Sequence, residues 1–181
     1  MRKNKLFLLV VVFTMALAMS VAVAVDRDVT INAGSLTLVS PTLATFAPVT
    51  LTGATQTDTL SASGGTITDA TGTGSGWTLK IGATQFVNGA RALSRGSFKL
   101  TSVPGMTLID SSSSAIADID VVAANGDVDQ VTPITVFTSG TDEGMGSYNI
   151  GEHQFTLTLL PKETFVGTYT STITYTLQAT V

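Results

Sequence analysis

The chain has 181 residues, with 9 basic and 13 acidic side chains, a net charge of −4, one His, one Trp and no Cys. Without Cys there is no disulfide and no thiolate metal site. An acidic chain lacking a basic stripe favours neither nucleic-acid binding nor a polybasic hold on an anionic membrane.

The N-terminus is read first. Met1-Arg2-Lys3-Asn4-Lys5 is a short basic opening, and Leu6 to Val25 is an uncharged apolar run that ends in the small residues of Ala22-Val23-Ala24. That order describes a secretory signal peptide over residues 1–24, cleaved after Ala24. The rival reading is an uncleaved anchor, since roughly 18 apolar residues can span a bilayer. The small residues and the charged Asp26-Arg27-Asp28 that follows favour cleavage. Cleavage removes Arg2, Lys3 and Lys5, so six basic residues face thirteen acidic ones and the net charge falls to −7. The expectation is a secreted, surface-located mature protein, residues 25–181, that does not span the membrane and forms one domain with a real core. A Cys-free export points towards a Gram-positive or archaeal surface.

About a fifth of the mature chain is Thr, a β-branched residue that favours strands. In chain order the strand candidates are Val29 to Ile31, Ser35 to Val39, Val49 to Thr52, Gly65 to Thr68, Trp77 to Ile81 and Ser97 to Thr101. Met106 to Ile109, Thr132 to Phe137 and His153 to Leu160 follow. In the last of these, Phe155, Leu157 and Leu159 alternate with Gln154, Thr156 and Thr158. The C-terminal segment alternates most clearly: Tyr169, Ile173, Tyr175, Leu177, Ala179 and Val181 share one parity, with Thr on most of the other positions. That pattern predicts a strand with one buried and one solvated face. Turn residues punctuate the candidates at Asn32-Ala33-Gly34, Ser63-Gly64, Asn88-Gly89, Pro104-Gly105, Asn125-Gly126 and Ser139-Gly140. Many short strands so separated predict an all-β antiparallel sandwich, Ig-like or related. Ser111 to Ala117 is expected to make one short helical turn, and Thr138 to Gly151 a mobile loop within the domain.

Catalytic and metal readings find little support. His153 has no adjacent nucleophile or ligand partner and reads as a surface or strand-edge residue. There is no G-x-S-x-G nucleophile motif. Asp118, Asp120, Asp127 and Asp129 form the densest acidic group, and clustered carboxylates suit calcium. Their spacing departs from the EF-hand pattern, so solvated turn carboxylates are expected. Gly72-Thr73-Gly74-Ser75-Gly76 lacks the Lys of a phosphate loop and leads into a strand, which rejects nucleotide binding. No cofactor is expected. Trp77 alone reads either as a core aromatic or as a stacking platform for a ligand.

Two segments stand out together. Asp69-Ala70-Thr71-Gly72-Thr73-Gly74-Ser75-Gly76-Trp77-Thr78-Leu79 is answered near the C-terminus by Gly167-Thr168-Tyr169 and Ile173-Thr174-Tyr175-Thr176-Leu177. This pair resembles the WxL cell-surface domain family of mostly Gram-positive bacteria, named for two Trp-x-Leu motifs, over essentially the whole mature chain. By that resemblance Trp77, Leu79, Tyr175 and Leu177 occupy the motif positions, with Tyr175 where the family pattern places Trp. The resemblance implies a non-enzymatic protein held non-covalently on the cell wall, through peptidoglycan, another wall polymer or partner surface proteins. The residues leave two other readings open: a filament or pilus-like subunit assembling through a strand near Asp28 to Ile31, and a secreted carbohydrate-active enzyme.

Overall fold

The computed structural model of the protein describes residues 27–122 and 125–180. The signal-peptide reading of residues 1–24 therefore lies outside the described residues. The described fold is all-β.

Among the described residues fifteen strands form antiparallel sheets. β1 (Leu36–Val39), β4 (Gly65–Asp69), β13 (Gly146–Ile150) and β9 (Met106–Leu108) make one sheet in the order β1-β4-β13-β9. A second sheet runs β10 (Ile119–Val121), β12 (Ile134–Ser139), β5 (Trp77–Ala83) and β15 (Ile173–Ala179). The third has five strands, ordered β11 (Gly126–Asp127), β8 (Phe98–Ser102), β14 (His153–Leu159), β3 (Gln56–Ser63) and β2 (Thr42–Leu43). β6 (Val87–Asn88) and β7 (Arg91–Ala92) pair as a small hairpin around Gly89.

The inward faces of the three sheets meet in one core. Ile67 and Tyr148 come from the first, Trp77, Leu79, Ile81 and Phe137 from the second, and Leu60, Phe98, Leu100 and Phe155 from the third. Period-two alternation produces this directly. Along β14, His153, Phe155, Leu157 and Leu159 are buried while Gln154 is exposed, because successive side chains leave a strand on opposite faces. β15 repeats the pattern, with Ile173, Tyr175 and Leu177 half-buried and Thr174, Thr176 and Gln178 exposed.

Several expectations need correction. Val29 to Ile31 and Val49 to Thr52 have strand-favouring residues but form no strand; propensity without a partner does not make a ladder. The loop expected over Thr138 to Gly151 contains β13, the central partner of β4 and β9. The longest strand, β3, was not expected at all, because its inward positions are Gln56, Asp58, Leu60 and Ala62. The helical turn falls at Ile116–Asp118, a single 3₁₀ turn overlapping only the end of the expected segment.

Candidate functional site

The two aromatic-Thr-Leu segments are neighbours in the second sheet. β15 lies against β5 with Ala179 opposite Trp77, Leu177 opposite Leu79 and Tyr175 opposite Ile81. The two leucines thus face each other, while the antiparallel direction puts the two aromatics at different heights on β5. Each aromatic then makes its own polar contact inside the fold.

Trp77 is fully buried. Its backbone N–H donates to Ser139 Oγ at 2.9 Å, and its Nε1–H donates to the carbonyl of Gly144 at 2.9 Å. The ring leans on Tyr148 across the sandwich, centroids 6.1 Å apart. Tyr148 in turn holds its hydroxyl 3.0 Å from the Met145 carbonyl and 3.1 Å from that of Ser114, so both ends of this aromatic pair are satisfied, as buried polar atoms require. Two glycines make room. Gly76, at φ 71°, would press a Cβ onto the carbonyls of Ser139 and Gly140, and Gly144, at φ 70°, would put one 2.7 Å from Trp77 Nε1. The core reading of Trp77 holds, and Leu79 is buried beside it.

Tyr175 reaches the sole histidine. His153 is fully buried on the inward face of β14, and its Nε2 lies 2.6 Å from the Tyr175 hydroxyl. Its Nδ1 lies 3.0 Å from the carbonyl of Gly151. A carbonyl only accepts, so Nδ1 carries the proton and Nε2 accepts from the Tyr175 O–H. Burial pushes the His153 pKa below its ordinary 6.5 and the Tyr175 pKa well above its ordinary 10.0. Both groups are held neutral. The expectation of a surface histidine was wrong: position 153 shares parity with Phe155, and that parity points inward.

The acidic group is dispersed. Asp118 and Asp120 are exposed around the start of β10, and Asp127 pairs with Lys99 at 3.1 Å. Asp129 is fully buried rather than solvated, accepting from the amides of Gly96 at 2.7 Å and Phe98 at 3.2 Å and from the Ser97 hydroxyl at 3.3 Å. Among the described residues no three of His, Asp and Glu come together as a metal-holding group. The Gly-rich approach to Trp77 is a row of hydroxyls: Thr71 bonds Asp69 at 2.7 Å, Thr73 bonds Thr71 at 3.0 Å, and Ser75 bonds Thr73 at 2.9 Å.

With the motif residues inward, the opposite face of the same sheet is Thr-rich. Cross-strand registers line up Asp120, Thr138, Thr78 and Gln178 in one row and Thr135, Lys80 and Thr176 in the next. Such a face offers hydroxyl donors and acceptors at strand spacing, about 4.8 Å from one strand to the next. Among the described residues no helix is long and apolar enough to cross a membrane. Comparison of the chain with protein-family models, with curated proteins and with solved structures returned no match.

Proposed function

We propose that this is an exported, non-enzymatic surface module of the WxL type, held non-covalently on the cell wall. The observation that carries the reading is the pairing of β5 with β15: the two motif segments lock together through Leu79 and Leu177 and leave a Thr-rich sheet face outward. In this reading Trp77, Leu79, Tyr175 and Leu177 build the surface and do not touch the wall, because their side chains point inward. Hydrogen bonds from Thr174, Thr176 and Gln178, all exposed on β15, make the contact with peptidoglycan or another wall polymer. The engagement of His153 by Tyr175 and of Asp129 by three donors supports a binding rather than a catalytic role.

Purified residues 25–181 are expected to pellet with isolated Gram-positive wall sacculi. The triple variant Thr174→Ala, Thr176→Ala, Gln178→Ala should stay folded by circular dichroism and remain in the supernatant. Failure of the wild-type protein to pellet would sink the reading.

A second reading, self-assembly by strand addition, has its own support. Val29 and Ile31 are 82 % and 85 % exposed in a segment that joins no sheet, and a free extended segment can complete the sheet of a neighbour. Regular fibres in electron micrographs of the concentrated mature protein are its expected sign.

A further inference from the structure

One inward position of the sandwich holds a carboxylate. Asp58 stands on β3 opposite Leu157 and on the same face as Leu60 and Ala62. Its Oδ1 accepts from the Thr59 amide at 2.8 Å, but its Oδ2 is buried with no hydrogen-bond partner. It is the one such orphan among the described residues, and a buried acceptor without a donor costs about 1–3 kcal/mol, more when charged. A cationic or donor group brought into the groove that Asp58 lines would satisfy it.

The surroundings say what kind of partner. Asp58 lines a groove of about 760 Å³ together with Val49, Leu51, Leu157, Leu159 and Phe165, and it is the only charged residue in that lining. The neighbouring sheet edge carries no strand over most of β3, although Thr50 and Thr52 bond the Gln56 side chain at its start. β2 pairs with β3 only at Ala62 and Ser63, and the Ala44 amide reaches the Ser61 carbonyl; from Leu60 back to Gln56 no strand lies on that side among the described residues. The occupant therefore needs an extended backbone about five residues long, apolar side chains on one parity, and one cation. Arg27-Asp28-Val29-Thr30-Ile31 has all three: Arg27, Val29 and Ile31 share a parity, and an extended chain sends them to one side.

Resting on the self-assembly reading, we infer that the Arg27–Ile31 segment of a second copy adds to the open edge of β3, with Val29 and Ile31 in the groove and the Arg27 guanidinium on Asp58 Oδ2. Main-chain hydrogen bonds supply the affinity and the side chains set the register. A guanidinium on a carboxylate is a strong, directional pair. The donor segment and the acceptor edge are different surfaces, so each copy both gives and receives, and the contact links copies into a chain unless two of them exchange segments reciprocally.

The absence of native Cys makes the test clean. Mature protein carrying Val29→Cys is mixed with protein carrying Val49→Cys and oxidised. The heterodimer is expected to form about tenfold faster than in a mixture of Val29→Cys with Thr176→Cys, whose thiol lies on β15 in a different sheet from β3; a tenfold ratio is about 1.4 kcal/mol of docking preference. Equal rates overturn the inference. Sedimentation of Asp58→Lys, Arg27→Asp and the double swap Arg27→Asp with Asp58→Arg provides the second arm. Each single change should weaken association and the swap should restore it, and Asp58→Asn covers the case in which the Lys variant does not fold. Assembly that persists in both single variants overturns this groove while leaving self-assembly standing. A wild-type protein that stays monomeric at every concentration overturns both.

Discussion

His153 Nε2 accepts a hydrogen bond from the Tyr175 hydroxyl at 2.6 Å, tying the middle strand of one sheet to the edge strand of another. The only His in the chain and the aromatic of the second aromatic-Thr-Leu segment are the two ends of a single bond. Tyr175→Phe keeps the ring and strands Nε2 in the core. The expected loss is about 1–3 kcal/mol, read as a lower urea midpoint with unchanged slope. Replacing both residues, as Tyr175→Phe with His153→Phe, should cost less than the separate losses added together.

The same pair makes stability depend on pH. Burial lowers the His153 pKa below 6.5, so beneath that pH the unfolded chain binds a proton that the folded chain refuses. The unfolded state then holds more protons, and stability falls as pH drops from about 6.5 towards the depressed folded value, by at most about 1.4 kcal/mol per pH unit. Above pH 6.5 this contribution is complete and flat. Chemical denaturation of wild type and His153→Gln between pH 5 and pH 8 should show the slope in wild type alone, on top of any shared carboxylate trend.

Trp77 is the sole indole and therefore its own reporter. Trp77→Ala should cost about 3–5 kcal/mol, as for other large buried aromatics. A subtler test leaves the ring in place. Gly144→Ala forces a side chain into a left-handed backbone and against Trp77 Nε1 and Ser139 Oγ, and should cost more than about 1 kcal/mol. Its indole emission should shift to the blue in the folded protein, because the buried Nε1–H loses the Gly144 carbonyl that stabilises the polar excited state.

Asp129 behaves as a structural acceptor. Asp129→Asn turns one accepting oxygen into a donor facing the amides of Gly96 and Phe98, and should cost about 1–3 kcal/mol. Calcium and a chelator should move the melting point of neither protein. A calcium-dependent rise in wild type that disappears in the variant would contradict this assignment.

Some of this architecture was legible in the residues and some was not. β5, β8, β14 and β15 were visible because large apolar side chains recur at every second position. β13 carries the same signal in Tyr148 and Ile150, but Gly146, Ser147 and Asn149 between them read as turn residues. β3 was hidden by its inward Asp58 and Ala62, which leave Leu60 as its one large apolar residue. Nothing in a linear pattern shows that Asp129 turns inward to serve three donors, or that Ser139 caps the amide of Trp77. Those depend on which segments fold back beside one another. The inward parity of His153, by contrast, was within reach two residues before Phe155.

β5, which holds Trp77, takes its partners from far along the chain, Ile134–Ser139 on one side and Ile173–Ala179 on the other. A chain emerging from the ribosome therefore carries its central strand with both edges bare until residues 134–139 arrive, and with one edge bare until residues 173–179 follow. Contacts of such long sequence separation form slowly. Closure of this sheet thus waits for a strand made about a hundred residues after β5, and until then the core face that carries Trp77 lacks its Tyr175 and Leu177 neighbours.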